Sequence, residues 1–335
     1  VLLGQPLKSQ EAAIILSMLP LLFVLLAGAA AAPAAPAPAQ AFGKPVEIEV
    51  RGLSEEATRG AVQKALAGIS EMERLTEAGP AALSAAAGKG PQPADPQILD
   101  LLTRTVSFCQ WSESAHGPLG KSLYALWGLH SKIEDPPGSD AVLQAAQAAA
   151  CDRLTLDPQK KTATLAPGSG VDLVGFAEGA AVDRAVEILR ERKVDNAFIR
   201  IGPVQRGFGP GPAGKGWPVQ LPQIPGLEEH TDQVYLRDQS LAVAASSDHP
   251  LQGGTSSYLN QRTGSPAQGV LAAVAVTELA MDAQGLATTM LILGPREGEL
   301  RMGTLRPRPS LLWFLGSGEG PPLLVNYRWT DFTRR

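Results

Sequence analysis

The segment from Gly170 to Gly209 constrains the fold more than any other, because it holds a polar turn, two glycines, a helix and a strand in one unit. Asp172 ends the turn, Gly175 and Gly179 let backbone approach a neighbour closely, and Ala180 to Arg192 reads as a helix entered just after them. Backbone N–H groups at such a helix start favour anions, phosphate included. Both a small-ligand site and a packing role for the glycines are open on this pattern alone. A strand, Ala197 to Gly202, follows the helix, and GFGPGPAGKG after it reads as a turn without regular structure.

Around this unit, strands and helices alternate irregularly. Val46 to Val50 alternates as a half-buried strand, Glu55 to Arg74 reads as an amphipathic helix, and Glu77 to Pro93, rich in Gly, Ala and Pro, as a loop. A second helix runs from Pro96 to Gln110 with Ile98, Leu101, Leu102 and Val106 on one face, and HGPLGKSLYALWGL turns into a short helix. A helix at Asp140 to Ala149 precedes a hairpin around Asp157-Pro158. Further strands are expected at Trp217 to Leu221, Gln233 to Arg237, Ser240 to Ala245 and Val270 to Val276. A helix at Asp282 to Leu293 and a terminal hairpin, Leu311 to Leu315 with Leu323 to Arg328, complete the pattern. The several hairpins predict an α+β fold with mixed, largely antiparallel sheets and packed helices, and an internal duplication of two strand-helix-strand halves is compatible with it.

The N-terminal residues 1–41 read as a signal peptide and Ala/Pro linker ahead of one domain over 42–335. Lys8 precedes an apolar run, Ala12 to Ala32, that leads into small residues suited to cleavage. Pro20 and many Ala and Gly weaken the run as a permanent span, although about 20 residues can cross a bilayer, so membrane association is expected only if the segment stays uncleaved. The expected location is exported, in the periplasm or anchored facing it. In an oxidising compartment Cys109 and Cys151 can form a bridge or remain buried thiols. A net charge of −4 with scattered Lys and Arg argues against nucleic-acid binding.

Local spacing supports no hydrolytic triad, because His116, His130, His230 and His249 are scattered; His249, in a polar loop, reads as solvated. Asp172 suits either a turn cap or a group binding a hydroxyl or cation. Asp183 reads as a first-turn acid supporting its own helix dipole. Arg262, Thr263 and Gly264 offer a guanidinium, a hydroxyl and a tight turn, a combination that can face phosphate or simply reverse the chain. Thr288 and Thr289 lie on an apolar helix, where hydroxyls usually bond back to a carbonyl.

Taken in order, these segments resemble the FAD:protein FMN transferase family, often called ApbE-like. Its signature D-L-G-G-I-A-K-G followed by V-D-R-A is matched by Asp172-Leu173-Val174-Gly175-Phe176-Ala177-Glu178-Gly179 and Val182-Asp183-Arg184-Ala185. A strand ending in G-G-D corresponds to Gly202-Pro203-Val204, and H-I-I-D-P-R-T-G to the run from Ser257 to Gly264. A-D-A-L-A-T before L-G corresponds to Ala283 to Thr288 with Leu293-Gly294. An earlier pattern is met by Pro118, Leu123, Leu126, Trp127 and Gly128, so the similarity runs from about Val46 to the C-terminus.

The resemblance implies an exported transferase that moves FMN from FAD to a Thr or Ser of a redox partner protein. It implies FAD contacts at Asp172, Gly175, Ala177, Glu178, Gly179, Arg262, Thr263 and Gly264. It also implies a Mg²⁺ held by the Ala177 carbonyl and the side chains of Gln284 and Thr288. Four positions depart from the family's pattern: Gln284 is an amide in place of a carboxylate, Ser257 replaces a functionally important histidine, Glu178 replaces a lysine, and Gly117 replaces an acid. Asp282 points about 200 degrees round the helix from Gln284 and is no simple substitute. The alternative is a pseudoenzyme that binds a flavin or a partner through a degenerate Mg²⁺ site.

Overall fold

A computed structural model describes residues 39–129, 133, 135–223, 233–248, 251, 256–316, 320–329 and 332. The apolar N-terminal run and the residues His130, His230 and His249 lie outside the described residues. Among the described residues no helix is long and apolar enough to cross a membrane.

Strands β1 (Gln40–Ala41) and β2 (Lys44–Val50) lead into α1 (Glu55–Ala85), whose start is capped by the Ser54 hydroxyl accepting from the Ala57 N–H at 3.3 Å. Of the expected loop over Glu77 to Pro93, the first nine residues, Glu77 to Ala85, continue this helix, and only the remainder is turn and the short strand that follows. Pro80 forgoes one backbone bond inside the helix, but Thr76, Pro80 and Leu83 are buried there, so tertiary packing outweighs the local break. Strand β3 (Gln92–Pro93), α2 (Pro96–Trp111), α3 (Lys121–Leu126) and α4 (Ser139–Ala148) follow, then the hairpin β4 (Leu154–Asp157) and β5 (Thr162–Leu165). Cys109, on α2, is disulfide-bonded to Cys151 just before β4. Ile98, Leu101 and Leu102 of α2 are buried as the periodicity predicts, against Leu83, Leu154 and Leu165.

Next come α5 (Ala177–Glu191), β6 (Ala197–Ile201) and β7 (Val204–Phe208). The turn expected to begin at Gly207 therefore starts two residues later, because Gly207 and Phe208 pair with Phe198 and Ala197. Strands β8 (Trp217–Gln220), β9 (Gln233–Leu236) and β10 (Gln239–Ala245) precede the short pair β11 (Leu259–Asn260) and β12 (Ser265–Pro266). The chain then forms β13 (Val270–Thr277), α6 (Ala280–Met302), β14 (Ser310–Leu315) and β15 (Leu323–Tyr327). Helix α6 runs past the expected end at Leu293 because Gly294, at φ 69°, joins two helical stretches across a kink.

Eight strands form one sheet in the order β1-β2-β6-β7-β10-β13-β14-β15, and every neighbouring pair is antiparallel. Helices α1, α5 and α6 bury one face and the β8–β9 hairpin covers part of the other. Side chains alternate across β13: Ala273 and Ala275 join the helix side, while Ala272, Val274 and Val276 join the hairpin side. On β10, Ala242 and Ala244 sit directly opposite Ala275 and Ala273. That patch of alanine lets α6 settle close to the sheet with its Leu286, Ala287 and Met290 in the shared core.

Candidate functional site

A cleft of 780 Å³ opens where the loop before α5, the first turns of α5 and α6, and the segments at β2, β10 and β11 meet. Asp172, Gly175, Ala177, Glu178, Ser257, Gln284 and Thr288, all singled out in the sequence, line it together. A more open depression of 790 Å³ lies between the start of α1 and the end of α5. Its polar groups, such as Ser54, Glu56 and Arg192, belong to helix ends, and no predicted site residue reaches it.

The floor of the cleft is set by packing. Gly175 has φ +85°, and a Cβ there would lie 2.8 Å from His116 Nε2 and 3.1 Å from Thr288 Oγ1, so only glycine fits. His116 is fully buried and its ring stacks on Phe176 with centroids 4.6 Å apart. Neither ring nitrogen has a hydrogen-bond partner among the described residues, and burial pushes the imidazole down to about 3 although the Asp172 charge opposes this. His116 is therefore a neutral packing group at neutral pH. Asp172 closes the turn as an acceptor for the Val174 N–H at 2.9 Å, so its cap role is realised while it also faces the cleft.

Below the floor, α5 and α6 meet at their N-terminal ends. A Cβ on Gly179 would come within 2.4 Å of Met281 Cα and 2.6 Å of the Ala280 carbonyl oxygen. Asp183, one turn along α5, accepts from the Ala280 N–H at 2.7 Å and the Met281 N–H at 3.1 Å. It therefore caps α6, not its own helix: the carboxylate satisfies donors that the neighbouring helix leaves unpaired. Burial pushes Asp183 up to about 6, against the pull of those two N–H groups and of Arg104 at 4.0 Å.

The cleft wall carries a three-residue polar chain. Gln284 Oε1 accepts from the Gly179 N–H at 2.8 Å, and its Nε2 donates to one oxygen of Glu178. The other Glu178 oxygen takes the Lys44 ammonium at 2.5 Å. Thr288, one helical turn beyond Gln284, faces the cleft, whereas Thr289 donates back to the Gly285 carbonyl at 2.7 Å. Asp282 is drawn away by Arg104 at 2.9 Å.

These donors do not fit the Mg²⁺ that the resemblance implies. A hard divalent cation requires several oxygens with negative charge among them. Here the amide is spent bridging Gly179 and Glu178, and the carboxylate is already neutralised by Lys44. Among the described residues no group of three His, Cys, Asp or Glu side chains could hold a metal ion.

On the opposite rim the Ser257 hydroxyl donates to the Asp248 carbonyl at 2.8 Å, and the Tyr258 hydroxyl donates to the Asp248 carboxylate at 3.1 Å. Burial, reinforced by Asp248, holds the Tyr258 phenol well above its ordinary range. Arg262, Thr263 and Gly264 do not join the cleft lining. The Arg262 guanidinium is held by both Glu297 oxygens at 3.1 and 3.0 Å, Thr263 Oγ1 accepts from the Ser265 N–H, and the Gly264 carbonyl accepts from the Trp127 indole at 2.8 Å. Gln261 in the same turn donates to the Gly117 carbonyl at 2.9 Å, so this turn braces the segment before α3.

Lys44, Asp248 and Tyr258 went unnoticed in the sequence as members of one site. Lys44 lies 134 residues from its partner, and the sole hint was an acid at position 178 in need of a cation.

The sequence profile of the ApbE family matches residues 42–306. No curated protein matches the chain by sequence. Among solved structures, the ApbE protein of Thermotoga maritima superposes with a TM-score of 0.75 at 20% identity, covering 88% of this chain and 97% of that one. The flavin transferase ApbE of Vibrio cholerae gives 0.72 at 17% identity over 87% and 96%, and the apo flavinyl transferase ApbE of Pseudomonas stutzeri gives 0.70 at 18% over 87% and 94%. These superpositions show a common fold over most of each chain, and with the profile match over most of its length the chain belongs to the ApbE family.

Proposed function

We propose that this chain is an exported flavin transferase that takes FAD into the cleft and passes its FMN half to a Thr or Ser hydroxyl of a redox partner protein. The hydroxyl oxygen bonds to the phosphorus of the FMN half. The bond from that phosphorus to the bridging oxygen breaks, AMP leaves with that oxygen, and the hydroxyl proton passes to a base, for which Asp248, an acid on the cleft lining, is the candidate. The start of α5 supplies positive potential toward the diphosphate, and Lys44, whose charge is balanced by Glu178, supplies ammonium donors. One observation carries the reading: elements as far apart in sequence as Gly179 and Gln284, 105 residues, converge on one cleft of a size suited to a dinucleotide in a family fold.

A second reading, flavin binding without turnover, is favoured by Ser257, which is turned onto the Asp248 backbone, and by Gln284, whose amide is fully engaged. The two separate when the protein is incubated with FAD, magnesium and a threonine-containing acceptor peptide. AMP release matched by FMN addition to the peptide is the expected result, measured by chromatography and mass spectrometry beside a Gln284→Asp variant. Bound FAD without AMP in the wild type, and AMP only in the variant, would transfer the chain to the binding class.

A further inference from the structure

We infer that the Lys44 ammonium takes the place of a divalent cation, so that the cleft binds a dinucleotide diphosphate without metal. The inference rests on the reading of the cleft as an FAD site. It starts from charge. A diphosphate diester brings two negative charges, and a wall made of Glu178 alone would repel them. Lys44 cancels that carboxylate at 2.5 Å, and Gln284 holds the carboxylate from its other side.

Geometry decides which member of the pair meets a ligand. The Lys44 side chain keeps 29% of its surface exposed against 13% for Glu178, so the ammonium is the accessible end and the carboxylate the covered one. The Lys44 stem packs against Gly202, which also lines the cleft with Pro203 and fixes the direction of approach. An ammonium offers three donors, of which Glu178 needs one, and the rest are free in number to meet phosphate oxygens. Gln284 is then a positioning residue: its Oε1 is locked by the Gly179 N–H at the start of α5, so its Nε2 has to point at Glu178, which in turn holds Lys44 over the helix start. An aspartate at 284 would disrupt this chain, since it could accept from Gly179 but could donate nothing to Glu178.

The test is a titration of FAD followed by quenching of its fluorescence, in EDTA and again in magnesium, with the wild type, Lys44→Met, Lys44→Arg and the double variant Lys44→Met/Gln284→Asp. Equal wild-type affinity in the two buffers is expected, within about twofold. Lys44→Met should bind at least about tenfold more weakly in both, the loss of one charge-assisted hydrogen bond. Lys44→Arg should recover part of that loss, and the double variant should become magnesium-dependent. Wild-type binding that needs magnesium overturns this inference alone, as does Lys44→Met binding as tightly as wild type. FAD that binds in neither buffer overturns the dinucleotide reading and the inference with it. The wild-type comparison decides the question even if a variant fails to fold, which circular dichroism monitors.

Discussion

The seam where α5 meets α6 and the cleft wall directly above it are built from the same two helix starts, yet different physics holds them. At the seam, Gly179 lies so close to Met281 and Ala280 that no side chain fits, and Asp183 completes the contact by taking the first two N–H groups of α6. On the wall, half-buried Lys44 and Glu178 and buried Gln284 hold one another through charge and hydrogen bonds. A steric contact has one solution, whereas a charge network has several as long as its sum and its donors balance. The difference explains how an amide and an acid can stand where the family's pattern has an acid and a lysine without disturbing the helices that carry them.

The hardest way to break this contrast is at the seam. Gly179→Ala puts a methyl group against backbone that cannot swing aside, so α5 and α6 must separate. A loss of about 3 kcal/mol is expected, the upper part of the usual range for overpacking, and it should be read by denaturant unfolding without any ligand. An unchanged midpoint would mean that the helix starts are as adaptable as the wall. Asp183→Ala comes next. It removes one carboxylate but strands two backbone donors at the start of α6, and a loss of about 2 kcal/mol is expected. Faster hydrogen exchange at Ala280 and Met281, with β14 and β15 unaffected, would locate that loss in the cap.

Legibility in the sequence divides along the same line. Periodicity was enough for β2, α2, the β4–β5 hairpin and the terminal hairpin, because each buries one face and is bounded by turn residues. It misjudged the end of α1, where Gly79-Pro80 looks like a break but is clamped by Ile98 and by the burial of Thr76 and Leu83. Asp183 was legible as a helix-start acid but not as the cap of another helix, since the recipient is 97 residues away. Arg262 had every local mark of a phosphate ligand and is instead paired with Glu297, 35 residues on. Lys44 had none of those marks. Short-range pattern reveals faces and turns, while the partner of a charge is fixed only when distant strands come together.

The wall itself offers the smallest and most discriminating effect. Removing Lys44 with Lys44→Met leaves the Glu178 carboxylate facing the cleft with the Gln284 amide as its remaining hydrogen-bond partner, and Glu178→Gln leaves an ammonium beside two amides. Because the lysine is 29% exposed and screened by water, each single change should lower stability by about 1 kcal/mol or less. The double variant Lys44→Met/Glu178→Gln removes both charges together and should be more stable than the sum of the single losses allows, which a double-mutant cycle by thermal unfolding measures directly. A coupling energy as large as the Gly179→Ala loss would erase the distinction between seam and wall, for it would make the ion pair part of what holds the helices in place. A coupling below that, with both single variants still fully folded, would leave the wall as the part of the molecule free to change its chemistry while the seam keeps its shape.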